Sequence, residues 1–344
     1  MKALVKTRPG AGNVELIDVP EPECTTDGVK VEVKFGGICG TDIHVFHDTF
    51  KNYPPVILCH EFSGIVSVAG EEIKKVKPGD PVVVMGSTMV QCGTCEYCRQ
   101  GFYMFCSIRR GMGHGVDGGF TKYVVVREDM VYPVPDHISL EEAALAEPFA
   151  TAVQAIEELT VFNVGDTILL SGPGPIGLMC LALLVSHGCR VIVAGTSDDT
   201  FRLEVAETLG AHLIVDAAEQ DIQGIVDRET NGRGVDGVVE ASGSEAAVTA
   251  GLRAVRKMGQ YVQVGILGKE ITVDFDMILY KQLKVFGVLG HTLRTWDRVV
   301  RIFESEKLDL TPIISHTLPL SRWQEAFDLF EKKQGLKILL FSEE

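Results

Sequence analysis

Four cysteines, Cys92, Cys95, Cys98 and Cys106, fall within fifteen residues at spacings of two, two and seven intervening residues. Thiolates that close together wrap one tetrahedral ion with every position filled by protein, which makes such a site closed and structural. An iron–sulfur cluster is also held by four thiolates, but the spacing favours a structural zinc. A second, dispersed set offers different chemistry: Cys39 after Gly36-Gly37-Ile38, His60 followed by Glu61, and Glu147 before Pro148. One thiolate, one imidazole and a carboxylate suit a zinc ion that keeps a position open for water or substrate. Glu61 and Glu147 are alternative sources of that carboxylate.

A third pattern binds phosphate. Thr167-Ile168-Leu169-Leu170-Ser171 leads into Gly172-Pro173-Gly174-Pro175-Ile176-Gly177 and then an apolar run ending near Gly188. This is G-x-G-x-x-G between a strand and a helix, the context in which it marks a dinucleotide site. Gly172 makes the turn, Gly174 admits the pyrophosphate to the backbone, Gly177 lets helix and strand pack, and the helix N-terminus attracts the anion. Pro175 and Ile176 open the helix, where a missing amide donor costs nothing. The next strand, Val191 to Ala194, ends in Gly195-Thr196-Ser197 with no acid in first place. A carboxylate there would select NAD through its ribose hydroxyls. Its absence, with Thr196, Ser197 and Arg202 available to a 2′-phosphate, tilts the expectation weakly to NADP, although Asp198 and Asp199 follow closely.

The elements that must position these groups fall into two patterns. Up to about residue 150, short alternating strands such as Val29 to Phe35, Ser63 to Ala69 and Pro81 to Met85 are separated by turns like Lys77-Pro78-Gly79-Asp80, as in a β-rich, barrel-like unit. From Asp166, strand runs at 167–171, 190–194, 213–215, 237–240, 261–265 and 283–287 alternate with helical patterns. That alternation predicts a parallel sheet with crossover helices. Beyond Leu289 come a helix at 295–305, an extended segment bearing Pro312, a helix starting near Ser321 and a closing strand, Lys337 to Phe341.

Composition narrows the partners. The chain of 344 residues is 46% hydrophobic and 23% charged, a globular composition long enough for two domains. A net charge of −15 repels a phosphate backbone, and no basic stripe relieves it, so nucleic acid is not an expected partner. No apolar stretch is long enough to span a bilayer and no secretory signal opens the chain. Nine cysteines without such a signal read as metal ligands and packing thiols in a reducing cytoplasm.

Taken in order, Gly37-Ile38-Cys39-Gly40-Thr41-Asp42-Ile43-His44, Cys59-His60-Glu61, the four-cysteine loop, Glu147-Pro148 and the glycine motif resemble the zinc-containing medium-chain dehydrogenases of the alcohol dehydrogenase superfamily. The resemblance spans essentially the whole chain and is nearest the polyol (sorbitol) and threonine dehydrogenase branch, since Glu147 stands where simple alcohol dehydrogenases carry a cysteine. It implies an α/β protein: a GroES-like catalytic domain from residues 1–150 and 291–344, with a Rossmann domain of doubly wound parallel sheet at 151–290 and the active site in the cleft. It further implies two zinc ions, a catalytic one on Cys39 and His60 with Glu61 and Glu147 sharing the carboxylate role, and a structural one in the 92–106 loop. Zinc as Lewis acid would lower the pKa of a bound hydroxyl, Thr41 would accept its proton, and His44 would pass it to solvent. The family usually has glycine where this chain has Cys59, whose thiol is expected to pack passively.

The implied activity is hydride transfer between NAD(P) and a secondary alcohol or its ketone, the alcohol being a polyol, sugar or hydroxy amino acid. Phe46, His47, Tyr53, Phe120 and His291 are candidate pocket residues, and His114 sits in a glycine-rich loop. A phosphorylated sugar or polyol is the alternative substrate, because Lys51, Arg109 or Arg110 can hold a phosphate. A zinc-free reductase of the same fold would not need Cys39, His60 and Glu147, and a non-catalytic binding protein is the remaining alternative. Resemblance also implies a homo-oligomer, a tetramer or dimer.

Overall fold

The computed structural model describes residues 1–343 and divides into two compact units. The first comprises Met1–Ala150, His291–Glu306 and Ile314–Glu344; the second comprises Thr151–Gly290 and Lys307–Ile313.

The first unit is β-rich. A seven-stranded sheet runs Ile314–Pro319, Lys337–Phe341, Gly28–Gly37, Glu61–Ala69, Pro81–Val84, Val131–Pro133, with Tyr123–Arg127 also paired to Gly28–Gly37. Val29, Val31 and Val33 are buried in its long central strand, the same-face spacing of a pleated strand. The closing strand Lys337–Phe341 pairs antiparallel with Gly28–Gly37, Leu339 opposite Gly37. That register brings the two ends of the chain's sequence together beside residue 37. The Pro312 segment, read from sequence as extended, is a short 3₁₀ turn, Thr311–Ile313, before the strand Ile314–Pro319 begins. Proline's fixed φ suits that turn.

The second unit holds six parallel strands ordered Leu213–Asp216, Arg190–Gly195, Thr167–Ser171, Val235–Glu240, Val255–Gln263, Lys284–Gly287. In sequence order this is 3-2-1-4-5-6, the doubly wound dinucleotide-binding arrangement. The helix Pro175–Ser186 follows the first of these strands. Eight of its residues, from Gly177 to Leu184, are buried, which is why its sequence is apolar on every face rather than on one stripe.

Asp236 ties two of these strands together. Its carboxylate accepts from Thr167 N at 2.9 Å, Arg233 Nη2 at 3.0 Å and Arg256 Nε at 2.7 Å. Burial raises its pKa, but the Thr167 amide and the two guanidiniums outweigh burial and hold the carboxyl below its ordinary value. A folded pKa below the unfolded one means the stability it contributes is present above the ordinary value of about 3.9 and lost as pH falls through the folded value. Asp236→Asn is expected to cost about 2 kcal/mol at pH 7 and to flatten the acid limb of a stability–pH profile. Melting indistinguishable from wild type at pH 7 would contradict this.

Candidate functional site

Cys39 and His60 come from adjacent strand ends. Cys39 follows the strand Gly28–Gly37 and is the N-cap of the helix Gly40–Phe46; His60 immediately precedes the strand Glu61–Ala69. Glu61 lies opposite Gly37 in the antiparallel ladder. A Cβ on Gly37 would come within 2.6 Å of Glu61 Oε2, so glycine at that position is what lets the carboxylate reach the site. The Cys39 sulfur, a His60 ring nitrogen and a Glu61 oxygen lie within 4.8 Å of one another. All of these belong to the first unit.

Two further side chains complete this arrangement: Lys337, which the sequence pattern did not point to, and His291, expected only as a pocket residue. Lys337 is buried, with its amine ion-paired to Glu61 and donating to the Ile38 carbonyl at 3.1 Å. His291 Nε2 lies 3.0 Å from Glu147 Oε1, and Trp296 Nε1 donates to His291 Nδ1 at 2.8 Å. An indole only donates, so Nδ1 is the accepting nitrogen and Nε2 is left to donate to Glu147. The two carboxylates are therefore held differently, Glu61 by a buried ammonium and Glu147 by a buried imidazole. Asp42, also buried, accepts from the backbone N–H of Cys39 at 2.9 Å and of Cys59 at 3.0 Å, tying the two ligand-bearing segments together.

The residues fit a metal ion on two observations. His60 Nδ1 is buried with no hydrogen-bond partner among the described residues, a costly state for a polar atom. Burial lowers the His60 pKa, yet Cys39, Glu147 and Asp42 outweigh burial and hold it well above its ordinary value. The surroundings favour a cation at this spot. Cys59 stands apart: φ is +82°, the left-handed region in which glycine is most at ease, and burial pushes its thiol pKa well up. Its sulfur contacts the Glu61 carbonyl at 3.2 Å, which is packing rather than ligation.

Thr41 and His44 share a face of the Gly40–Phe46 helix, one turn apart. Thr41 Oγ1 is 3.8 Å from the Cys39 sulfur, while His44 is exposed with Nδ1 2.9 Å from Thr49 Oγ1. The four cysteines at 92, 95, 98 and 106 bring their sulfurs within 4.8 Å. Backbone N–H groups of Cys92, Cys95 and Cys98 point at sulfurs of that set. Four sulfur donors suit a closed zinc site.

In the second unit Gly172 adopts φ +95°, and a Cβ there would meet Ser242 N at 2.7 Å. A Cβ on Gly177 would meet the Gly172 carbonyl at 2.1 Å, whereas nothing lies within 4 Å of one on Gly174. Gly174 is the N-cap of Pro175–Ser186, with Pro175 in the first turn. Beside them is a cavity of about 270 Å³ lined by Ser171, Gly172, Gly195, Thr196, Asp199 and Ser242 among others. Ser171 Oγ is buried there without a partner among the described residues. Asp199 turns back on its own loop, accepting from Thr196 N at 3.1 Å and Thr196 Oγ1 at 3.0 Å, with Arg202 3.5 Å away. Ser197 donates to Asp216 at 2.8 Å. Glu240, not singled out by motif, accepts from Ser242 N at 2.8 Å and Gly243 N at 3.0 Å and so shapes the loop facing Gly172.

Comparison with known proteins agrees with both units. Residues 25–136 match the alcohol dehydrogenase GroES-like domain and residues 175–305 match the zinc-binding dehydrogenase domain. The chain is 38% identical over 344 residues to D-arabitol-phosphate dehydrogenase of Enterococcus avium, covering 99% of this chain and 97% of that one. It is 36% identical over 341 residues to sorbitol dehydrogenase of Halalkalibacterium halodurans, covering 99% of each. The structure of 2R,3R-butanediol dehydrogenase from Bacillus subtilis superposes with a TM-score of 0.89 at 28% identity, over 99% of both chains. The chain belongs to the zinc-containing medium-chain dehydrogenases, in the polyol and threonine dehydrogenase branch.

Proposed function

We propose that this chain oxidises a secondary alcohol of the polyol class, with Cys39, His60 and Glu61 as protein ligands of a catalytic zinc and NADP as hydride acceptor. The reaction class is that of the family, an oxidoreductase exchanging hydride between an alcohol and NAD(P). The observation that carries the residue assignment is the Cys39–His60–Glu61 cluster with its orphaned imidazole nitrogen. Bound there, zinc supplies a Lewis acid for the substrate oxygen.

The chain's own residues supply the rest. Thr41, beside the Cys39 sulfur, accepts the hydroxyl proton, and His44, exposed one turn on, delivers it to solvent. Glu147, held by His291, is the second carboxylate near the cluster and would be available to a metal held by Cys39, His60 and Glu61. Lys337 is the buried counter-charge of Glu61 and would neutralise that carboxylate whether or not it ligates the metal. Cys92, Cys95, Cys98 and Cys106 hold a second, structural zinc. Thiolates in both sites support a reducing, cytoplasmic setting.

NADP is supported by Gly195, a glycine rather than an acid at the end of the strand Arg190–Gly195, and by Asp199, whose carboxylate is engaged by Thr196. The test is a screen of polyols, sugars and hydroxy amino acids with both cofactors, on protein whose zinc is counted. Two zinc ions per chain, turnover of a secondary alcohol and a kcat/KM ratio above one for NADP over NAD are expected. A ratio below one assigns Asp199 to the ribose of NAD, and turnover of primary alcohols alone overturns the polyol reading.

A second copy of this chain is the expected macromolecular partner. Lys284–Gly287 is an edge strand of the six-stranded sheet, and Ile266, Phe275, Leu279 and Tyr280 of the same unit are exposed at 68–88%. An open edge with apolar neighbours is a template for pairing. Sedimentation at a multiple of 37.5 kDa is expected, a tetramer being the assembly we favour; a monomer at micromolar concentration would exclude it.

A further inference from the structure

The chain's net charge is −15, yet one cavity of about 380 Å³ in the first unit is walled by cations and by no acid. Lys51, Tyr53, Ser107, Arg109, Arg110 and His114 form most of its lining. The Arg110 guanidinium lies 4.2 Å from the centroid of the Tyr53 ring, and Lys51 Nζ lies 5.4 Å from the same ring. Two cations gathered on one aromatic ring attract its face but repel each other. No carboxylate is paired with either of them among the described residues, so no described residue supplies a compensating anion. Tyr53 reports the same field, its hydroxyl pKa drawn down by a hydrogen bond with Lys51 and the charges of Lys51 and Arg110.

The cavity's lining is linked to the candidate zinc site through Arg109 and the His114 loop. Arg109 Nε and Nη2 donate to the Ser87 carbonyl at 3.1 and 2.8 Å. Ser87 Oγ lies 3.3 Å from His291 Nε2, the nitrogen that holds Glu147. On the other side, the His114 loop packs on the segment bearing His60: a Cβ on Gly113 would come within 2.9 Å of Cys59 N. Arg109 is thus committed to the frame, while Lys51 and Arg110 are exposed and present their donors to the cavity.

We infer that this cavity holds the phosphate of a phosphorylated polyol substrate, with Lys51 and Arg110 as its charged donors. The inference rests on the dehydrogenase reading above and names the substrate class of that site. A dianion with three terminal oxygens can accept from a guanidinium fork and an ammonium together. A hydroxy amino acid fits worse, because its single carboxylate carries less charge than a phosphate dianion and its ammonium group is repelled by the same wall. The similarity to D-arabitol-phosphate dehydrogenase points the same way.

The test uses the zinc-loaded full chain and matched pairs: D-arabitol with its 1-phosphate, sorbitol with its 6-phosphate, galactitol with its 1-phosphate. The phosphorylated member is expected to have a kcat/KM about 100-fold higher, the weight of one or two charge-assisted hydrogen bonds. In a Lys51→Met, Arg110→Met double variant that preference is expected to fall below about fivefold, through KM, with Arg110→Lys retaining part of it. Inorganic phosphate is expected to compete with the phosphorylated polyol in wild type and not in the double variant, which separates the phosphate group from the polyol chain as the source of affinity. Equal turnover of both members of every pair, or a preference that survives the double substitution, overturns the phosphate pocket and leaves the dehydrogenase reading intact. Absence of turnover with every alcohol and both cofactors overturns the dehydrogenase reading instead. Calorimetry with D-arabitol 1-phosphate then decides the pocket alone: binding weakened about tenfold or more in the double variant upholds it, and unchanged or undetectable binding in both proteins ends it.

Discussion

A Cys39→Ala variant is expected to lose about four orders of magnitude in kcat/KM, the several kcal/mol that a Lewis acid contributes to charge stabilisation, and to retain half of its zinc. Cys39 leaves the end of one central strand and His60 enters the next, so the ladder pairing Gly37 with Glu61 sets their separation. Without the sulfur, His60 and Glu61 remain, but Glu61 already has a buried ammonium from Lys337 as its counter-ion. An imidazole alone does not outcompete water for zinc in the way a thiolate-containing set does. The loop at Cys92, Cys95, Cys98 and Cys106 is a separate cluster and is not touched by the substitution, so mass spectrometry of metal content is expected to read one zinc where two are expected of wild type. Full occupancy together with wild-type turnover would remove Cys39 from the ligand set. Glu147→Ala provides the contrast, since a carboxylate tethered to His291 is expected to matter for turnover more than for zinc retention. A variant with unchanged turnover would refute a role for the second carboxylate.

What could be seen in the sequence depended on how far apart the cooperating residues lie. The four-cysteine loop and the glycine turn are local, and their spacing alone states their geometry. The parallel sheet is nearly as legible, because strands buried on both faces read as continuous apolar runs such as Val191 to Ala194. Lys337 was not legible. It opens a strand of the form Lys-Ile-Leu-Leu-Phe, where a lysine ordinarily marks a solvated end, and its partner Glu61 is 276 residues away. His291 is separated from Glu147 by 144 residues and becomes meaningful only once Trp296 fixes which nitrogen faces the carboxylate. The choice between Glu61 and Glu147 stayed open for the same reason, since it depends on their counter-groups. For Cys59 the sequence showed only a cysteine where the motif usually carries glycine, and the positive φ that suits a glycine there is seen in the structure. Three cations near one another at Lys51, Arg109 and Arg110 were visible, but only the structure separates the one bound to Ser87 from the two that face the cavity.

The other large effect concerns Gly174, which the glycine motif groups with Gly172 and Gly177 although the structure treats the three differently. Gly172 needs its positive φ, and Gly177 has the Gly172 carbonyl where a side chain would go. Substituting either disturbs the turn itself, so lost cofactor binding there would not distinguish a broken fold from a blocked site. Gly174 has φ −72°, which any L-residue adopts, and open space where its Cβ would stand. Nothing in the protein requires glycine at that position. The remaining reason is a ligand that approaches the backbone closely, as a pyrophosphate does at the N-terminus of a helix. Gly174→Val is therefore expected to melt with wild type while raising the cofactor KM about 100-fold, the loss of one or two charge-assisted hydrogen bonds to phosphate. Gly177→Ala, in contrast, is expected to lower the melting temperature and the cofactor affinity together. If Gly174→Val bound NADP and NAD as wild type does, the pyrophosphate would have to lie away from this helix. The unpartnered Ser171 hydroxyl and the cavity bounded by Gly195 and Thr196 would then need a different occupant.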